Sequence, residues 1–234
     1  ALSLVQAESG RQLGEADLVL AAQLAGRAAA AIDNARLFEG QRHIARTLQG
    51  ALLPPEVPQP PGAAAAAAYL PMGEGIEAGG DFYDLFEAVP GRWCVAIGDV
   101  CGKGPRAAAL AALARYALRA LSRRHADPAA LVEDLNAEVR RELRHDLRFI
   151  TGCVGLLRRD GRALALELAC AGHPDPLVVR ADGSLEWLPG TGHPLGLVER
   201  VAPHVQRVRL HPGDRLLLYT DGVSEARAGG RFFD

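Results

Sequence analysis

The stretch Trp93-Cys94-Val95-Ala96-Ile97-Gly98-Asp99-Val100-Cys101-Gly102-Lys103-Gly104-Pro105 constrains the fold more than any other part of the chain. A short apolar run reads as a buried strand and ends on a carboxylate inside a glycine-rich turn. Pro105 then opens an alanine-rich helix at the position where proline is tolerated. Asp99 therefore stands at the tip of a rigid element, where a charge is costly to bury unless it is paired or bound to a metal. Two further aspartates have similar settings, Asp81 in Gly79-Gly80-Asp81-Phe82-Tyr83-Asp84 and Asp221 in Leu216-Leu217-Leu218-Tyr219-Thr220-Asp221-Gly222. Three strand-borne carboxylates with no clustered His or Cys suit a hard, oxygen-seeking cation such as Mg²⁺ or Mn²⁺.

Each motif alone has a plainer reading. Asp-Gly is a hairpin signal, and Asp160-Gly161 and Asp182-Gly183 read as ordinary turns. Asp221-Gly222 by itself would read the same way, and Asp99 by itself could be a turn or helix-capping residue. The ordered combination is more specific. Gly79 to Asp84, Gly98 to Gly104, Ala171-Gly172-His173-Pro174, Pro194-Leu195-Gly196-Leu197 and Thr220-Asp221-Gly222-Val223-Ser224-Glu225-Ala226 together resemble the metal-dependent, type-2C-like protein serine/threonine phosphatases. Within them the pattern is most similar to the bacterial branch of the stage II sporulation phosphatase E and the stress-response phosphatases. The likeness runs from about Leu52 to the end.

The resemblance implies an α+β fold, a four-layer α-β-β-α sandwich of two antiparallel sheets flanked by helices. It implies two Mn²⁺ or Mg²⁺ ions, with Asp99 bridging both, the carbonyl of Val100 as a backbone ligand, Asp221 on one ion and Asp81 acting mostly through water. The substrate it implies is a phosphorylated regulatory protein, an anti-sigma-factor antagonist. Family members carry one more aspartate ligand at the start of a final strand, and Arg231-Phe232-Phe233-Asp234 does not match that motif. The expectation is a chain that lacks its last strand and ligand and is weakly active or inactive alone.

Without the resemblance, composition only sets limits. The 234 residues are 49% hydrophobic, ample for a packed core, and the net charge of −2 argues against a nucleic-acid surface. No apolar run approaches the roughly 20 residues a membrane span needs, so the chain reads as cytoplasmic. Cys94, Cys101, Cys153 and Cys170 form no C-x-x-C pair and read as small buried hydrophobes in a reducing compartment.

Ala1 to Ser9 reads as a strand and Gly10-Arg11 as a turn. From Glu15 to about Leu53 no proline intervenes, which predicts a helix of roughly 55 Å. Leu2 to Ser9 and Glu15 to Glu39 resemble the last strand and helix of a GAF sensory domain. Leu37, Ile44, Leu48 and Ala51 recur at heptad-like intervals, so this helix could pair with a second copy in a homodimer or pack on the rest of the chain. Leu53 to Gly62, with five prolines, cannot continue a helix. The expected organisation is 1–39 as a GAF-like fragment, 40–62 as a helical and proline-rich linker, and 63–234 as the phosphatase domain, with a first strand across Ala63 to Tyr69.

Strand alternation puts Asp81, Tyr83 and Leu85 on one face and Phe82, Asp84 and Phe86 on the other. Asp84 is therefore expected to hold the loop by a hydrogen bond rather than reach the cations. Helices are expected from Pro105 to about Arg124 and from Asp127 to about Arg144, the second with a solvated charged face, and strands follow from Ile150 onward. His173 is a candidate general acid, although a turn bonded to nearby backbone accounts for it more simply, and the same holds for His193. A Walker-type nucleotide loop is ruled out, because only three residues separate its glycines and Gly104 follows Lys103. The remaining rival to a phosphatase is a catalytically silent partner-binding switch of the same fold.

Overall fold

The computed structural model describes residues 14–70, 79–144, 146–228 and 231–232. The expected strand over Ala1 to Ser9 lies outside them. Helix α1 spans Glu15–Leu52, 38 residues and about 57 Å at the usual rise. Its first turn carries Glu15 and Asp17, the charge that an N-terminus favours, and Asp17 Oδ2 accepts from the Gly14 N–H at 3.0 Å. Leu18, Val19, Leu20, Leu24, Ile32 and Leu37 are exposed along it. The chain divides into two compact units, 1–44 and 45–234, with the boundary inside this helix.

In the second unit, Ala63 to Leu70 form no strand. Alanine offers nothing to pack on a pleated surface, and the segment is held instead by Gln59, whose amide donates to the Ala65 carbonyl at 2.9 Å and accepts from the Ala65 N–H at 2.8 Å. The first strands are β1 (Phe82–Val89) and β2 (Arg92–Val100), and helices α2 (Pro105–Leu121) and α3 (Pro128–Glu142) follow. Strands β3 (Ile150–Asp160), β4 (Ala163–Ala171), β5 (Leu177–Val179), β6 (Leu185–Trp187), β7 (Val205–Leu210) and β8 (Arg215–Leu217) come next. Short α4 (Asp221–Ser224) and a pair of two-residue strands, β9 (Arg227–Ala228) and β10 (Arg231–Phe232), complete the described elements.

Among the described residues one antiparallel sheet has the order β1-β2-β3-β4-β7 and a second the order β6-β5-β8. The α+β architecture with two antiparallel sheets is as expected. Two cores build it. Ala107, Ala111, Ala114 and Leu118 of α2 with Leu131, Val132 and Val139 of α3 pack on one face of the first sheet, against Cys94, Ala96, Val100 and Ile150. Small alanines let α2 approach the sheet closely. The opposite face, with Cys153, Leu166, Leu168, Cys170 and Val208, meets Val178 and Leu216 of the second sheet and Leu218 just past its end.

Helices α2 and α3 start where the sequence says. Gly104 precedes Pro105 at the first helical position, and Asp127 caps α3 by accepting from the Ala129 N–H at 3.1 Å. The face of α3 expected to be merely solvated is not uniformly so. Glu133 accepts the N–H groups of Val201 and Ala202 at 3.1 and 2.8 Å, holding a backbone in which Ala202 takes φ of 50°. Buried Asn136 donates to the Val198 carbonyl at 3.0 Å and accepts from the Gly196 N–H at 2.8 Å.

The cysteine reading needs correction. Cys153 and Cys170 form a disulfide, with Cα atoms 4.1 Å apart. They are direct partners in the β3–β4 register, a proximity hidden by their sequence separation of 17. Cys94 is a free, buried thiol, pushed up to about 12 chiefly by burial and then by the charge of Asp84, so it is chemically quiet.

Asp84 also differs from expectation. It does face away from Asp81, but it is 1% exposed and anchors helix α2 rather than a loop. Arg115 Nε donates to its Oδ2 at 2.9 Å, while Arg119 grips both oxygens, Nε to Oδ2 at 2.6 Å and Nη2 to Oδ1 at 2.7 Å. The Arg119 guanidinium also lies 4.6 Å from the Phe86 ring centroid. An acid beside a strand start and two arginines spaced four apart on a helix are spatial neighbours only after folding.

Candidate active site

Strand pairing builds the site. Phe82 pairs with Gly98, so one step further along the same register Asp81 comes opposite Asp99, and Asp99 pairs in turn with Thr151. The result is a row Asp81, Asp99, Thr151 across three adjacent strand ends. Gly80 makes the approach possible. The Val100 N–H donates to its carbonyl at 3.3 Å, and a Cβ at Gly80 would stand 2.3 Å from the Val100 carbonyl oxygen, closer than any side chain can sit.

Asp221 reaches the row by a different route. Strand β8 ends at Leu217, and Tyr219-Thr220 leads into α4, whose first residue is Asp221. Sequence alone made this a strand ending in an Asp-Gly turn; the folded chain makes it a helix start. Thr220 Oγ1 lies 3.4 Å from Asp81 Oδ2, which brings the turn over the row.

The electrostatics report crowding of negative charge. The Asp99 carboxyl is pushed up to about 7, first by burial, then by the charge of Asp81, their shared hydrogen bond and the charge of Asp221. Asp81 is raised too, by burial first and by Asp221, while hydrogen bonds from Asp99 and Thr220 oppose the rise. A cation bound here would relieve this crowding and favour the charged form of both carboxylates. All three expected aspartates interact, but Asp221 is exposed, and among the described residues no three His, Cys, Asp or Glu side chains stand close enough to enclose an ion. The donors on hand, two paired carboxylates and the neighbouring Val100 carbonyl, are all hard oxygen, which fits a divalent cation and no softer one.

These shifts carry a pH consequence. An acid whose folded pKa is raised stabilises the fold fully below its unfolded value and loses that contribution as pH rises through the folded one. The metal-free protein is therefore expected to lose thermal stability from about pH 4 to about pH 7, and added Mn²⁺ should restore it at the upper end. Thermal melts in EDTA and in Mn²⁺ across that range check this; a metal-free melting temperature that climbs steadily to pH 7 would contradict it.

The other sequence candidates are distributed differently. Lys103 is exposed in the glycine loop beyond Asp99. His173 is buried, and beyond the backbone partner that was expected its Nδ1 lies 3.1 Å from the side-chain oxygen Oγ1 of Thr151. Thr151 and Thr220 were missed at the sequence level. Thr220 directly precedes Asp221, which is a local signal, whereas Thr151 is identified only by strand register.

Two packed antiparallel sheets with helices on an outer face are the architecture of the PP2C class of phosphatase folds, and solved structures of that fold match the chain. The RsbU and RsbW domains of a Mycobacterium tuberculosis protein match with 34% identity and a TM-score of 0.54, covering 66% of this chain and 42% of that one. The PP2C phosphatase domain of SpoIIE from Bacillus subtilis matches at 19% identity and a TM-score of 0.52, over 62% and 42%. The family model of stage II sporulation protein E (SpoIIE) matches residues 89–234, and the chain belongs to that family. Among curated proteins, the phosphoserine phosphatase RsbU of Bacillus subtilis is 28% identical over 201 residues, 84% of this chain and 57% of that protein. Protein IcfG of Synechocystis is 26% identical over 178 residues, 66% and 28%. The chain thus spans between 28 and 57% of the length of the curated relatives it matches.

Proposed function

We propose that this chain is the catalytic part of a regulatory phosphoprotein phosphatase that removes phosphate from phosphoserine or phosphothreonine on a regulatory protein, an anti-sigma-factor antagonist. The observation that carries the reading is the hydrogen-bonded Asp81–Asp99 pair under the charge of Asp221. Membership of the family and likeness to proteins named phosphoserine phosphatases support it.

In this reading Asp99, the Val100 carbonyl, Asp81 and Asp221 would hold two Mn²⁺ or Mg²⁺ ions. Such ions, when bound, lower the pKa of a shared water and neutralise phosphoryl oxygens. The chain's own contribution is placement: strand ends fix Asp81 and Asp99 against each other, and the β8–α4 turn brings Asp221 from the second sheet. The division at 39 and 62, a GAF-like sensory module acting through α1, and a homodimer along that helix belong to the same proposal. Exposed Leu18, Leu24, Ile32 and Leu37 are its support. No described helix is long and apolar enough to cross a membrane, consistent with action in the cytoplasm. The Cys153–Cys170 bridge pulls the other way.

The test is hydrolysis of a phosphoserine peptide by the full-length protein that carries this chain, in Mn²⁺ and in EDTA. Phosphate release that is lost in EDTA and restored by Mn²⁺ is expected; release indifferent to both, or none at all, sinks the reading. Gly80→Ala gives a sharper check. Its Cβ must push the start of β1 off Val100, and a displacement of that size costs about 10²-fold in rate when it reaches reacting groups. Unchanged turnover in a folded Gly80→Ala protein would show that Asp81 need not sit against Asp99.

A further inference from the structure

Beyond the acid row the same strands carry a rim that the reading above leaves unused. Val100 pairs with Ile150, and Ile150 is bridged in turn to Leu195 by two backbone hydrogen bonds of 3.0 and 2.8 Å. The next residues keep these three segments together. The Cys101 N–H donates to the Phe149 carbonyl at 2.9 Å, a Cβ at Gly102 would stand 3.5 Å from Arg148 Nε, and one at Gly196 would stand 3.6 Å from the Arg148 carbonyl oxygen. Arg148 thus lies between the glycine loop that follows Asp99 and the Gly196-Leu197 segment. It is three strand positions past Thr151, and so roughly 10 Å from the acid row.

Two leucines stand beside Arg148, Leu147 at 94% exposure and Leu197 at 53%. Leu197 is not on a loose loop. Buried Asn136 accepts from the Gly196 N–H at 2.8 Å and donates to the Val198 and Glu199 carbonyls at 3.0 and 3.2 Å, so both neighbours of Leu197 are fixed while its own side chain stays open to water. Arg148 is set in place as well. Its N–H donates to Asp146 Oδ1 at 3.1 Å and its Nη1 to Asp146 Oδ2. Both side chains of that pair are part-exposed, so it orients the guanidinium and contributes little else. The fork has five N–H donors, enough to take a second carboxylate. Lys103, exposed on the neighbouring glycine loop, adds another positive charge.

We propose that this rim docks the phosphoprotein: Arg148, with Lys103 beside it, takes an acidic side chain of the substrate, and Leu147 and Leu197 take an apolar one, both about three residues from the phosphoserine. The inference rests on the phosphatase reading of the acid row. Distance supplies the spacing, because an extended chain advances about 3.3 Å per residue and crosses roughly 10 Å in three. Charge supplies the sign: next to a row of aspartates, these cations are where a negatively charged segment finds a complementary field. Side chains whose backbone is already fixed lose little freedom on binding, so a small rim can still select. The competing occupant is a second copy of this chain.

The probes are phosphoserine peptides with Glu or Lys three positions from the phosphoserine, on either side, each with and without an adjacent Leu, hydrolysed in Mn²⁺ by the full-length protein. A hydrogen-bonded charge contact at a part-exposed site is worth about tenfold in binding. On one side of the phosphoserine, kcat/KM should therefore be about tenfold higher for Glu than for Lys. Arg148→Glu should reverse that order, mainly through KM, which a merely structural role for Arg148 would not do. Leu147→Ser combined with Leu197→Ser should abolish the preference for Leu, also about tenfold. No preference on either side, or one that Arg148→Glu leaves unreversed, would overturn the proposal; if a variant fails to fold in thermal melts, the preference of the unmodified protein decides. A dimer in sedimentation that the double leucine variant dissociates would assign the rim to a second copy and overturn it too. Phosphate release without preference would leave the phosphatase reading standing, whereas no release from any peptide would overturn that reading and this rim with it.

Discussion

Asp99→Asn in the full-length protein is expected to lower Mn²⁺-dependent hydrolysis of a phosphoserine peptide by about 10³-fold, the upper end of what removing one preorganised electrostatic partner costs. Asparagine keeps the shape and one oxygen but removes the charge that a cation would neutralise. The same change should act on the fold in the opposite sense. Above about pH 7 the metal-free wild type must hold Asp81 and Asp99 charged side by side, with Asp221 nearby. The variant has one charge fewer in that crowd and should melt higher than wild type in EDTA at pH 8, with the difference vanishing near pH 4. Loss of activity together with a gain of stability is the mark of a functional site that works against the fold. A variant that loses both would point to Asp99 as a structural cap. A variant that keeps its activity would show that Asp99 is not needed for hydrolysis, and no Mn²⁺-dependent hydrolysis in either protein would point to the catalytically silent switch.

Asp84→Ala should do the reverse, with a large cost in stability. Asp84 and the Arg115 side chain are 0% and 7% exposed, and Arg119 at 39% is partly open to water. Breaking a buried ion pair by removing one partner costs about 3–5 kcal/mol, and the exposure of Arg119 argues for the lower end, about 3 kcal/mol. For a protein of this size that is roughly 10 °C in melting temperature. Replacing all three by apolar residues of similar volume, Asp84→Leu with Arg115→Met and Arg119→Leu, should recover much of the loss, since a buried ion cluster often yields little net stability over a packed apolar one. Calorimetric melts of the single and triple variants decide it; a single variant within about 1 °C of wild type would mean that the three groups are better solvated than their burial indicates.

Asp81, the partner of Asp99, and Asp84 lie three residues apart, and their fates show how far the sequence could be read. Period-two alternation was enough to place Asp81 and Asp84 on opposite faces of one strand, and the structure bears that out. It could not name the partner of Asp84, because Arg115 and Arg119 look like solvated helix charges until α2 docks on β1. Glu133 went unrecognised for the same reason: the groups that donate to it are backbone N–H groups almost 70 positions away.

What the sequence determined by itself was local. The apolar run ending on Asp99, Gly104-Pro105 and Asp127-Pro128 at helix starts, the long proline-free helix and the alternating strands are all written in neighbouring residues, because backbone sterics and capping act over one turn or one pleat. The ordered motifs added the fold class. Tertiary structure alone decided what depends on register and on the meeting of the two sheets. The Cys153–Cys170 bridge, the Asp81–Asp99–Thr151 row, the short helix beginning at Asp221 and the Thr151–His173 contact each join positions that no spacing rule relates. Strand pairing sums over many weak contacts before it brings any two given side chains together, so these contacts exist only once the whole sheet is in place.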